Sequence, residues 1–225
     1  MEKTQLQALL ATVENHEKYK DLDALNGSLR GYSSPASLLI QDGKFYLKKN
    51  STSPLVELGD EIMVSIFAGI PAIGLSRAFF ANGYSGGQTR PDCFSPDGIT
   101  AASSNPVSAS CRSCPNSQWG SGANSVGTAC RASKNLILLL LKDEEEPDLV
   151  TLRISGKSIT NLQRYVSQFE EQSVAVYKFA TNLTLDHGSK YPVVEFEVVN
   201  IFVPEELKEL KRFLDLPEVQ EHLNR

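Results

Sequence analysis

Four cysteines carry the most specific chemistry in this chain. Cys93, Cys111, Cys114 and Cys130 follow the spacing Cys-x17-Cys-x2-Cys-x15-Cys and are the only cysteines among the 225 residues. A C-x-x-C pair sets two thiolates on one tight turn, aimed at a centre about 2.3 Å from each sulfur. Two further cysteines on flanking loops complete a tetrahedron around one Zn2+ with no position left for water, so the ion is expected to be structural and not catalytic. Only one half of the set is a C-x-x-C knuckle. Two disulfides, four free buried thiols or an iron–sulfur cluster are the alternatives. The start, Met1-Glu2-Lys3-Thr4-Gln5-Leu6-Gln7, lacks the apolar core of a signal peptide. That predicts a cytoplasmic protein, where thiols stay reduced. The spacing also departs from the ferredoxin patterns.

The elements that must position these cysteines are unusual. From Ala81 to Asn135 Gly, Ser, Asn and Pro dominate and no hydrophobic periodicity survives. So long a stretch without a core is disordered or is held by something else, and metal binding supplies such order. Free thiols would have no reason to cluster in the one segment that lacks a core. On either side the periodicity returns. Leu38–Lys49 is an extended run broken by Asp42-Gly43, a strong hairpin dipeptide. Ile62–Ala68 and Leu75–Phe80 are further strand candidates. Leu136–Leu141 is a strand buried on both faces, too short to span a bilayer. Leu149–Ile154 is another strand, and Ser158 caps a predicted helix from Ile159 to about Gln172, with Ile159, Leu162, Val166 and Phe169 on one face. Val174–Leu185 and Tyr191–Val203 form a hairpin around Asp186-His187-Gly188-Ser189.

The predicted organisation has three parts. Residues 1–35 hold a polar helix over 3–20 and a Gly/Ser/Pro-rich loop. Residues 36–203 form a mainly β domain, an OB-fold-like five-stranded barrel with a helix between its third and fourth strands. The four-cysteine zinc-binding insertion at 81–135 is expected between the third strand and that helix. Residues 204–225 form a helical segment, started by Pro204 and carrying Leu207, Leu210 and Leu214 inward, with a short turn opened by Pro217.

The sequence around the cysteines is distinctive: Pro91-Asp92-Cys93-Phe94-Ser95-x-x-Gly98, Cys111-Arg112-Ser113-Cys114-Pro115-x-x-x-Trp119-Gly120-Ser121 and Gly127-x-Ala129-Cys130-Arg131. Together with Arg77-Ala78-Phe79-Phe80, Tyr84 and the apolar strand after Cys130, it resembles a family of tailed-bacteriophage proteins. Those proteins are similar to single-stranded DNA-binding proteins, with an OB-fold core and a zinc-binding insertion. The resemblance covers roughly residues 38–200. It implies single-stranded DNA as partner, one structural Zn2+, and a role in phage DNA replication or recombination within the host cytoplasm.

The residues carry a compatible reading of their own. Sequence-tolerant binding of single strands needs aromatic faces for bases and cations that follow phosphates. Period-two alternation places Lys44, Tyr46 and Lys48 on one strand face, opposite Phe45 and Leu47. It likewise places Arg77 and Phe79 together, away from Ala78 and Phe80. Tyr84, Arg90, Arg112 and Arg131 extend the candidate DNA-binding set. The bland alternative is aromatics at a barrel rim beside solvated lysines. Trp119, the only tryptophan, is expected to pack over the cysteine knuckle. Formal charge is −5 overall, with +1 over residues 1–141 and −6 over 142–225, so local patches decide partner choice. The acidic end either recruits replisome proteins or is a packed surface helix. His16, His187 and His222 show no metal-ligand spacing, and P-loop, dinucleotide-binding and nucleophile-elbow motifs do not occur. The expectation is a non-enzymatic protein without a small-molecule substrate or a membrane partner. The second expectation is a zinc-containing protein-interaction module of a phage replication or transcription complex, marked by exposed apolar residues around Phe94 and Trp119.

Overall fold

The structure, a computed structural model, describes residues 36–83, 89–142, 147–189, 191–215 and 220. The helix expected over 3–20, the loop before Pro35, Tyr84 and the turn expected at Pro217 lie outside these residues.

The protein is mainly β. Its strands are β1 (Ala36–Gln41), β2 (Lys44–Lys48), β3 (Val56–Gly59), β4 (Glu61–Ile70), β5 (Ser76–Phe79), β6 (Cys93–Ser95), β7 (Arg131–Leu140), β8 (Asp148–Ser155), β9 (Phe179–Asp186) and β10 (Val193–Ile201). Helix α1 (Lys157–Glu170) lies between β8 and β9, and α2 (Pro204–Leu214) follows β10. Ten strands share one sheet in the order β10-β9-β4-β7-β8-β1-β2-β3, with β5 pairing β6 and β7 off this path. The sheet is curled, so β2 and β3 approach β4 although they lie far from it in strand order. Every pairing is antiparallel except that of β1 with β8.

Local sequence explains these elements. Asp42 and Gly43 take the left-handed conformation at φ 49° and 73°, which a two-residue hairpin turn requires. Phe45 and Leu47 are buried while Lys44, Tyr46 and Lys48 lie on the outer face. Leu136 to Leu140 are all buried, as a continuous apolar run in a central strand demands. Helix α1 buries Ile159, Leu162, Tyr165 and Phe169, and the Tyr165 hydroxyl meets Thr181 Oγ1 at 2.6 Å. Phe169 and Phe179 pack with ring centroids 4.6 Å apart. Each such side chain contributes roughly 1.5–3 kcal/mol of apolar burial. None of the four cysteines belongs to this main core cluster.

Several expectations need adjustment. Among the described residues the sheet holds ten strands, two more than the eight runs expected, because short β3 and β6 exist only through pairing and carry no alternation of their own. Ser158 is the second residue of α1 and not its cap. Its hydroxyl accepts from the Val194 N–H at 2.9 Å, while Asn161 Nδ2 donates to the Val194 carbonyl at 3.0 Å; both bonds pin the helix to β10. The segment expected as an insertion over 81–135 contains β6 and the first half of β7, and it lies between β5 and β7, before β8 and the helix. The helix expected from Pro204 forms as predicted, with Leu210 buried. Among the described residues, no helix is long and apolar enough to cross a membrane.

Candidate metal centre and nucleic-acid interface

The four cysteines, spread over 38 sequence positions from Cys93 to Cys130, converge. Pairing of β5 with β6 sets Cys93 opposite Phe79. The Cys111 N–H donates to the Ile99 carbonyl at 2.9 Å, the Ser117 N–H to the Cys114 carbonyl at 3.0 Å and the Cys130 N–H to the Asn116 carbonyl at 2.7 Å. All four side chains are buried free cysteines and line one cavity of about 10 Å³, the size of a single small particle. Burial pushes the Cys130 thiol up, and the Arg77 guanidinium opposes it. The Ser117 hydroxyl also lines this cavity, buried and without a partner of good hydrogen-bond geometry. It lies near enough to the Cys130 sulfur to favour the thiolate.

This donor set fits a tetrathiolate ion in chemistry: four soft ligands around one small space, with an unsatisfied hydroxyl beside them. Among the described residues no group of three or more His, Cys, Asp or Glu side chains stands in metal-holding geometry. Beside the cavity, Asp97 fixes the turn after β6. Its carboxylate accepts from the Ile99 and Thr100 N–H groups and the Ser95 hydroxyl, which hold the carboxyl below its ordinary range.

The candidate DNA-binding residues do not form one face. Arg77 and Phe79 share a strand face, and both line the thiol cavity. Strand β2, with Lys44, Tyr46 and Lys48, contributes to neither that cavity nor the groove described below. Lys44 pairs with Glu57 on β3, and the Tyr46 hydroxyl donates to the same carboxylate at 3.3 Å. The hydrogen bond and charge of Glu57 raise the Lys44 pKa, and the Lys44 contact lowers that of Glu57. A carboxylate therefore sits among the expected phosphate contacts. Arg90 and Arg112 are exposed on loops, and Arg131 is exposed at the start of β7.

A different set of residues does converge. A groove of about 1030 Å³ runs between the cysteine segment, the Arg131 end of β7, β8, the first turn of α1 and the β9–β10 turn. Arg131, Arg153 and Lys157 line it with Trp119 and Tyr191, and among the described residues no Asp or Glu does so. Cross-strand register places Asn135 opposite Arg153, so Arg131, Ser133 and Arg153 share a sheet face. Arg153 donates to Ser133 Oγ at 2.9 Å. Lys157 reaches Asp186 at 3.6 Å while staying 58% exposed. The hydroxyl of Ser189 and the Gly188 N–H already hold Asp186 as a charged turn anchor.

Trp119 corrects an expectation. It does not pack over the knuckle but stands 81% exposed, and Tyr191 is 70% exposed. The loop is closed by its own hydrogen bonds, with Ser121 Oγ donating to the Asn116 and Gln118 carbonyls, so the indole is not needed as a cover. Alternation around Leu152-Arg153-Ile154 signals an outward Arg153 in the sequence, but nothing local links it to Trp119 or Tyr191. Comparison with protein-family models, curated proteins and solved structures returns no match for this chain.

Proposed function

We propose that this chain is a non-enzymatic, zinc-containing single-stranded DNA-binding protein acting in phage DNA replication or recombination. The strand would lie in the groove lined by Trp119, Tyr191, Arg131, Arg153 and Lys157. The observation that carries this reading is the groove's composition: two exposed aromatics and three cations, with no lining carboxylate among the described residues. That is the combination sequence-tolerant strand binding requires. It replaces the face around Lys44, Tyr46 and Lys48, where Glu57 already holds Lys44 and the Tyr46 hydroxyl.

Topology supports the same reading. Strands β4, β7 and β8 form a meander, α1 follows, and β9 returns to pair with β4 before the hairpin to β10. Five strands with a helix between third and fourth is the OB order, and here β8 pairs with β1 at the edge that a closed barrel would use. In OB domains the second and third strands and the first and fourth connections bind oligonucleotides. By that assignment Arg131 and Arg153 come from the second and third strands, Trp119 from the first connection and Tyr191 from the fourth. Cys93, Cys111, Cys114 and Cys130 would hold one Zn2+. Bound there, the ion cross-links loops and offers no reactive position.

The test is an anisotropy titration of labelled oligo(dT) at two salt concentrations. Binding that weakens with salt supports the reading, and no binding at low salt ends it. One observation favours a protein-docking role for the cysteine segment. Phe94, Ile99 and Val107 are exposed apolar residues at 36%, 63% and 47%. A replisome protein docked there would bind with little salt dependence, and the same titration format separates the two readings. The apolar groove between α2 and β7, lined by Leu139, Phe202, Leu210 and Phe213, is where a partner of the carboxy-terminal segment would sit.

A further inference from the structure

We infer that the loop between Cys114 and Cys130 is a metal-set wall of the groove, so that ion binding at the four thiols and strand binding in the groove are reciprocally linked. The inference rests on the groove being the strand site. Its basis is that one short loop serves both places. Asn116 and Ser117 line the thiol cavity, whereas Trp119, Gly127 and Thr128 line the groove.

The loop is built as a closed body. The Gly120 N–H donates to the Gly127 carbonyl at 2.7 Å and the Gly122 N–H to the same oxygen at 3.3 Å. Ala129 N–H donates to Ser121 Oγ at 3.0 Å, and Gln118 Nε2 donates to the Arg112 carbonyl at 3.0 Å. A Cβ at Gly122 would collide with the Val126 carbonyl oxygen, so the turn has no slack there. The loop joins the rest of the chain at Cys114 and Cys130, and the Cys130 N–H bond to Asn116 ties those ends together. Cys130 leads directly into Arg131, which lines the groove and sits opposite Ala78 of β5. An ion that gathers both end thiols therefore sets the position of Trp119.

Within the sheet only Cys93, in short β6, is one of those thiols, and the core cluster contains no cysteine, so the main sheet does not depend on them in the same way. Removing the ion is expected to release the loop and leave the sheet folded. By linkage, whatever factor the ion adds to strand affinity, the strand must add to ion affinity.

The experiment compares the full-length protein loaded with Zn2+ and stripped by a chelator, using labelled oligo(dT) anisotropy and circular dichroism to follow the sheet. Stripping should raise the oligonucleotide Kd about 5- to 100-fold with the sheet signal retained, in the range of one lost stacking contact. Saturating oligo(dT) should tighten Zn2+ by the same factor in a chelator competition. In W119A the loaded protein should bind weakly, and stripping should weaken it little further. Equal Kd values for loaded and stripped protein would overturn the linkage and leave the strand-binding reading standing. A W119A protein that loses as much on stripping as the parent would overturn the role of Trp119. Absence of oligonucleotide binding in both forms would instead overturn the strand-binding reading itself.

Discussion

Replacing Arg153 and Lys157 together tests where phosphates lie. Among the described residues three cations line the groove, and each phosphate neutralised on a single strand contributes about −0.7 to the slope of log K against log salt. The parent slope is then about −2, which from about 50 to 200 mM salt weakens binding about 18-fold. Of these three, R153Q/K157Q leaves Arg131, so the slope falls to about −0.7 and the same salt step costs about 2.6-fold. The exchange disturbs little else. Ser133 Oγ keeps its contact with Ser76 Oγ at 2.9 Å, and Asp186 keeps its bonds to Ser189 and Gly188. The assay is oligo(dT) anisotropy across a salt series, with K44Q/K48Q as the control expected to keep the parent slope. A parent slope in R153Q/K157Q, together with a reduced one in K44Q/K48Q, would return the binding face to β2 and refute the groove.

Other consequences can be checked separately. Phe45 is fully buried, so F45A should destabilise the protein by about 3–5 kcal/mol, read as a lower midpoint in chemical denaturation; a loss under about 1 kcal/mol would mean the β1–β2 hairpin is not part of the core. Zinc-loaded protein should hold one ion per chain and shield Cys93, Cys111, Cys114 and Cys130 from a thiol reagent until a chelator is added, whereas full reactivity in the loaded state would contradict a tetrathiolate site. Asp97 has a carboxyl held below its ordinary value near 3.8, chiefly by the Ile99 and Thr100 N–H groups. Its stabilising contribution is therefore fully present above that value and disappears as pH falls through the lower folded value. D97N should melt below the parent at neutral pH and approach it as pH falls below that ordinary value, and a constant gap would show that the charged form is not what the turn recognises.

Much of the fold is legible because it is encoded locally. Alternation at 44–48 marks Phe45 and Leu47 as core, the run 136–141 marks a strand buried on both faces, and a three-and-four spacing marks the inner side of α1. The thiol cluster is legible for a different reason: a segment without periodicity needs an external tether, and all four cysteines fall within it. Pairing is not legible. Glu57 comes to Lys44 through the register of a four-residue strand, and no local pattern announces so short an element. The groove is harder still, since Trp119, Arg131, Arg153, Lys157 and Tyr191 meet only after β7, β8 and the β9–β10 hairpin take their places. Trp119 misleads because a large aromatic beside a Gly-Ser turn suggests burial, whereas the loop satisfies its own polar groups.

Trp119 is the sole tryptophan, which makes the central claim directly observable. Intrinsic emission of the zinc-loaded protein should be quenched, saturably and at the stoichiometry of binding, when unlabelled oligo(dT) is added, because a base stacks on the indole. If anisotropy reports a bound strand while the tryptophan emission does not change, the strand lies elsewhere and the groove is not its site.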